Sequence, residues 1–178
     1  MIQKNKSLEI IYDNLSYSSK QFDSILNEFT ENEKDEIELK ELHQKAFGEF
    51  PTIILLFLSN IGIWFSKGFF TKCGEKIAEI LFEKISDNKP VLGLTFSQNN
   101  KPKVNIVIKS DNKNQLKNSL TNIKIREIYE GVLEYVQEKL DNDIIEITVV
   151  FDGELKTIIR FYYIDKKNDV YVGTKLQQ

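Results

Sequence analysis

The run PTIILLFLSNIGIWFSKGFF, Pro51 to Phe70, constrains the folding of this chain more than any other stretch. It is almost wholly apolar, in a sequence whose residues are 29% charged. A helix that spans a bilayer needs about 20 mostly apolar residues, whereas an apolar segment of about 10–14 more often belongs to a buried core. The uninterrupted part runs only from Ile53 to Leu58 before Ser59-Asn60, and Ser66-Lys67 closes the far end. A mid-run Asn finds hydrogen-bond partners in a protein core more readily than in lipid. Pro51 suits the first turn of a helix. The expectation is a helix over 51–66, apolar on all sides and enclosed by the rest of the chain. The competing expectation is a membrane-associated element over Pro51–Phe70.

After Gly68, Phe69, Phe70, Cys73, Ile77, Ile80, Leu81 and Ile85 fall on one helical face, with Lys and Glu on the other, which predicts a helix over 68–86. Gly68 separates the two helices, and Gly74 permits close packing. Leu116, Leu120, Ile123, Ile128, Val132, Val136 and Leu140 predict a long helix over 114–140, capped near Asp111 or Asn112. Between them the period becomes two. Leu92, Leu94 and Phe96 alternate, then Val104, Ile106 and Ile108, a hairpin over 91–109. Ile145 to Phe151 and Leu155 to Tyr163 alternate around Asp152-Gly153, a hairpin over 144–164 whose Asp-Gly pair suits a type I′ turn. Val170–Val172 adds a further strand after DKKN.

The first 50 residues read as a strand near Ser7–Asp13 and a helical face of Phe22, Ile25, Leu26 and Phe29. A Thr30/Glu33 capping box follows, then a strand through Ile37 and Leu39, and then a helix toward Phe47. The whole reads as one α+β domain over 1–178. Its antiparallel sheet of hairpins, 91–109 and 144–164, is covered on one face by helices 51–66, 68–86 and 114–140. Residues 1–50 form an acidic part expected to be the more mobile.

Charge is uneven along the chain. Residues 1–50 hold 6 Lys against 11 acids, while the remainder holds 18 basic and 16 acidic residues, for a formal net charge of −3. Global attraction to nucleic acid or to anionic lipid is thereby removed. A basic rim exists at Lys101, Lys103, Lys109, Lys113, Lys117, Lys124 and Arg126, but it lacks interleaved aromatic residues. Arg126 and Arg160 are the only arginines, which disfavours a nucleic-acid partner.

The chemistry-bearing residues are few. His43 is the sole histidine and Cys73 the sole cysteine. Cys73 lies on an apolar helix face, where a thiol usually serves as packing rather than as a nucleophile. One cysteine allows no intrachain disulfide, and with no apolar leader in MIQKNKSLEIIYDN the expectation is a cytoplasmic location. Neither GxGxxG nor GxxxxGK[ST] occurs. Asp141-Asn142-Asp143 lacks the glycine and terminal Glu of a calcium loop. No cofactor, metal or catalytic residue is implied.

The reading that remains is a non-enzymatic protein-interaction module: an adaptor, inhibitor or accessory subunit that binds a protein partner. Its candidate contact residues are Glu33, Glu36, Glu38 and Glu41 in the acidic run, with Arg160 and Tyr162 facing away from the core side of their strand. Two alternatives stand beside it, a membrane-associated effector using 51–70 and an enzyme with a carboxylate-based site. The sequence sets no oligomeric state.

Overall fold

A computed structural model describes residues 6–42, 52–58, 61–83, 90–139, 143–156 and 158–173. In chain order these form β1 (Leu8–Asp13), a 3-10 turn (Ser19–Phe22), α1 (Asp23–Leu26), α2 (Glu31–Lys34), β2 (Ile37–Leu42), β3 (Thr52–Leu58), α3 (Ile61–Ser66) and α4 (Phe69–Glu83). The second half continues with β4 (Val91–Ser97), β5 (Lys103–Lys109), α5 (Lys113–Ser119), α6 (Asn122–Lys139), β6 (Ile144–Asp152), β7 (Ile158–Asp165) and β8 (Val170–Gly173). The strands form one eight-stranded sheet in the order β2-β1-β3-β4-β5-β6-β7-β8.

The fold is α+β, but the sheet is mixed rather than antiparallel. Both expected hairpins are present, as β4–β5 and β6–β7, and β7–β8 adds a third. Three neighbouring pairs are parallel: β1–β2, β3–β4 and β5–β6. Each parallel pair is bridged by helices, as parallel neighbours require. All three crossovers cover the same sheet face. β1 and β5 run in the same direction, yet β2 lies on one side of β1 and β6 on the opposite side of β5. The first and third crossovers therefore have opposite hands, so one of them is of the left-handed kind seen in only about 2% of such connections.

The helix expected over 51–66 is corrected. Its first half is β3, an interior strand, and only Ile61–Ser66 is helical. Ile53, Leu55 and Phe57 are at most 1% exposed on the helix-covered face, while Ile54, Leu56 and Leu58 are half-buried on the other. A strand whose two faces are both apolar shows no period of two, so a short run of this kind imitates a buried helix. The enclosure itself is present: Phe57 stacks on Phe96 at 5.0 Å and meets Phe69 at 5.5 Å, and Trp64 meets Phe29 at 5.9 Å.

The helix expected over 114–140 is two helices. Leu120, at φ −80° and ψ 66°, ends α5, and α6 begins at Asn122. Asn112 is the cap, its Oδ1 accepting the Gln115 amide at 3.1 Å. Gly68 joins α3 to α4 at φ +71°, a conformation that favours glycine. The helix expected to run to Phe47, and residues 84–86 and 140 of the other two, lie outside the described residues.

The β6–β7 turn is also corrected. Residues 153–157 separate the strands, and the left-handed residue is Leu155 (φ +59°), not Gly153. Asp152 Oδ1 accepts the amides of Glu154 and Lys156, each at 3.2 Å. Glycine is needed at 153 for space, because a Cβ there would lie 2.2 Å from Ser110 Oγ.

Candidate interaction face

Because side chains alternate along a strand, the register sorts the sheet into two faces. One face carries Leu8, Ile10, Tyr12, Ile53, Leu55, Phe57, Leu92, Leu94, Phe96, Val104, Ile106, Ile108, Ile147 and Val149, all buried beneath the helices. Among the described residues, every ring contact between helix and sheet falls on this side, including Tyr12–Phe22, Phe96–Tyr129 and Tyr135–Phe161.

The opposite face has no helical layer among the described residues. Five adjacent strands place Ile11, Ile54, Gly93, Val107 and Val150 in one apolar row. Gly93 lies under the Ile54 side chain, where a Cβ would be 3.2 Å from Ile54 Cγ1. The next row runs Glu9, Leu56, Thr95, Asn105, Thr148, Tyr162 and Val172. Its centre is a hydrogen-bonded line. Thr95 Oγ1 donates to Asn105 Oδ1 at 2.9 Å, and Asn105 Nδ2 donates to Glu146 Oε1 at 2.6 Å and Thr148 Oγ1 at 3.1 Å. Lys103 lies 3.3 Å from Glu146. At the β2 end, Lys40 pairs with Glu9 at 2.6 Å and Glu38 at 3.6 Å; its hydrogen bond to Glu9 raises its pKa. At the other end Arg160 is exposed and Tyr162 half-buried. Both signs of charge alternate across the face and leave no single-sign field for a polyanion.

The expected contact residues divide among three places. Arg160 and Tyr162 share the open face, two residues apart on β7. Glu38 is on that face too, beside Lys40, whereas Glu41 faces the other way and accepts the Tyr12 hydroxyl at 2.9 Å. Glu33 and Glu36 meet around Lys67, at 3.8 and 3.6 Å. Glu33 closes the expected capping box, accepting the Thr30 amide at 2.9 Å and hydroxyl at 3.0 Å. That amide bond holds its carboxyl below the usual range, against the effect of burial; the Thr30 hydroxyl, Lys67 and Lys72 add to it. Sequence reading did not single out Ile11, Ile54, Leu56 and Val107; taking 52–58 as a strand would have placed Ile54 and Leu56 on this face.

Two clefts lie elsewhere. One of about 540 Å³ is lined by Lys101, Val136, Gln137, Ile145 and Lys166, with no carboxylate among its described lining residues. The other, about 410 Å³, holds Glu79 and Glu83 beside Lys76 and Lys113, with Lys113 3.7 Å from Glu79. Cys73 is wholly buried, and that burial pushes its thiol up to about 12. His43 and Asp141-Asn142 lie outside the described residues; Asp143 pairs with Lys166 at 2.9 Å. Among the described residues, no group of acids, His and Cys is arranged to hold a metal ion, and no helix is long and apolar enough to cross a membrane. No family model, no curated protein and no solved structure matches the chain.

Proposed function

We propose that this chain is a non-enzymatic interaction module, and that it receives a protein partner on the open face of its sheet. The observation that carries the reading is the one-sided layering. Eight strands bury one face under helices and leave Ile11, Ile54, Leu56 and Val107 half-buried on the other. A half-covered apolar row set among alternating charges matches the composition of a protein interface, with an apolar centre and a polar rim. Balanced charge, with Tyr162 the one ring on this face among the described residues, argues against a nucleic acid, which would need a basic groove with stacking platforms.

The test is site-specific photo-crosslinking in the native host. A crosslinker at Val107 or Leu56 is expected to capture one partner, and the same group at Ile123, exposed on α6, is expected to capture none. Val107→Lys is expected to abolish the adduct formed from Leu56 while the chain keeps a single cooperative melt. Adducts that form equally from both faces, or from neither, refute the reading.

A further inference from the structure

The two edges of the sheet are built differently. β2 carries Glu38, Lys40 and Glu41, charges of the kind that keep an edge from pairing with another strand. β8, Val-Tyr-Val-Gly, carries none. Val170 is 62% exposed and Val172 69% exposed, both on the open face, and Tyr171 lies on the other.

The ladder fixes which backbone groups of β8 point away from β7, where the described residues place no further strand. The Asp165 amide donates to the Asp169 carbonyl at 3.2 Å, so Asp165 and Asp169 form a hydrogen-bonded pair. In an antiparallel ladder such pairs alternate with non-bonded ones. Tyr163–Tyr171 and Phe161–Gly173 are then bonded pairs, while Val170 and Val172 turn their N–H and C=O groups away from β7. These outward groups are a template for one more strand.

We propose that β8 pairs antiparallel with β8 of a second copy, about a two-fold axis at Tyr171. In that register Val170 faces Val172 of the other copy. Each outward N–H meets an outward C=O, so both Val170–Val172 pairs close reciprocally within the described residues. Tyr171 faces its own mate across a non-bonded pair, where side chains come closest and aromatic pairs gain most. Tyr171 already stacks on Tyr163 at 4.8 Å and 14°. The dyad thereby extends two stacked rings into a ladder of Tyr163, Tyr171 and their mates. An unrelated strand would supply the backbone bonds but not this ring at this place, and an uncharged strand has nothing to repel its own copy. The pairing leaves both open faces on the same side of a doubled sheet. It uses an edge rather than a face, so it stands or falls apart from the preceding section.

Sedimentation of the full chain over roughly a hundredfold range of concentration, up to the millimolar level, is the test. The apparent mass is expected to rise from one chain toward two. Val172→Pro removes an outward donor while sparing the bonds to β7, a position where an edge strand tolerates proline. It is expected to hold the mass at one chain with the melting temperature unchanged, and Val170→Lys to do the same. Tyr171→Cys, facing itself on the axis, is expected to give a covalent dimer on mild oxidation, while Val172→Cys alone gives none. A wild-type chain monomeric at every concentration, or a dimer that Val172→Pro leaves intact, overturns the proposal.

Discussion

Gly74 on α4 lies so close to Leu120 that a Cβ at position 74 would sit 2.3 Å from the Leu120 carbonyl oxygen and 2.9 Å from its Cβ. This approach seats the α5–α6 break on α4, and it sets two opposing effects against each other. Alanine gains about 1 kcal/mol over glycine in a helix interior, but overpacking costs about 1–3 kcal/mol. The obstacle here is backbone, which cannot swing aside, so Gly74→Ala is expected to destabilise. Gly131 on α6 has nothing within 4 Å, so Gly131→Ala should stabilise by up to ~1 kcal/mol. Thermal melts of the two variants, moving in opposite directions, check the pair.

The alternation along β3 separates two adjacent residues. Phe57 is 0% exposed among Phe69, Phe70 and Phe96. Phe57→Ala should cost about 3–5 kcal/mol. Leu56, half-buried on the open face, should cost about 1 kcal/mol as Leu56→Ala. Urea unfolding of both variants, with Ile54→Ala and Leu55→Ala beside them, should show sensitivity at every second position. Equal losses at Leu56 and Phe57 would return the segment to a helix.

Cys73 should be chemically silent in the native chain. Only the thiolate reacts, and burial moves the thiol from its ordinary 9.0 to about 12. At pH 8 a thiol-specific disulfide reagent is expected to label it at least ~100-fold more slowly than in denaturant, by way of transient opening. The same burial has a linkage sign. The folded pKa lies above the unfolded one, so the stability from this group is fully present below pH 9 and is lost as pH rises toward about 12.

Glu33 works at the other end of the pH scale. The Thr30 amide holds its folded pKa below the ordinary 4.5. Its contribution is therefore present above that value and is lost as pH falls through the lower, folded one. Melting temperatures of wild type and Glu33→Gln should differ near neutrality and converge in acid. A gap that persists at pH 2 would place the effect in packing instead.

What the sequence revealed depended on how far apart interacting residues lie along the chain. The hairpins β4–β5 and β6–β7 were legible because each strand alternates and its partner follows within a few residues. α4 was legible because one face is apolar over 15 residues. The Thr30–Glu33 box and the placement of Arg160 and Tyr162 opposite Phe161 followed from spacing alone. β3 was not legible, because Ile54 and Leu56 are apolar on the face where a period of two needs polar residues. The parallel pairings were hidden because helices separate their strands in sequence. The apolar row of the open face is assembled from five strands, and no single segment carries its signal.

The strand order has a consequence for how the sheet is made. From β4 onward, each strand pairs with the one synthesised just before it, while β2 and β3 add on opposite sides of β1. In a chain emerging from the ribosome N-terminus first, every later strand meets a docking edge that already stands. None of the described strands has to wedge itself between two that have already joined.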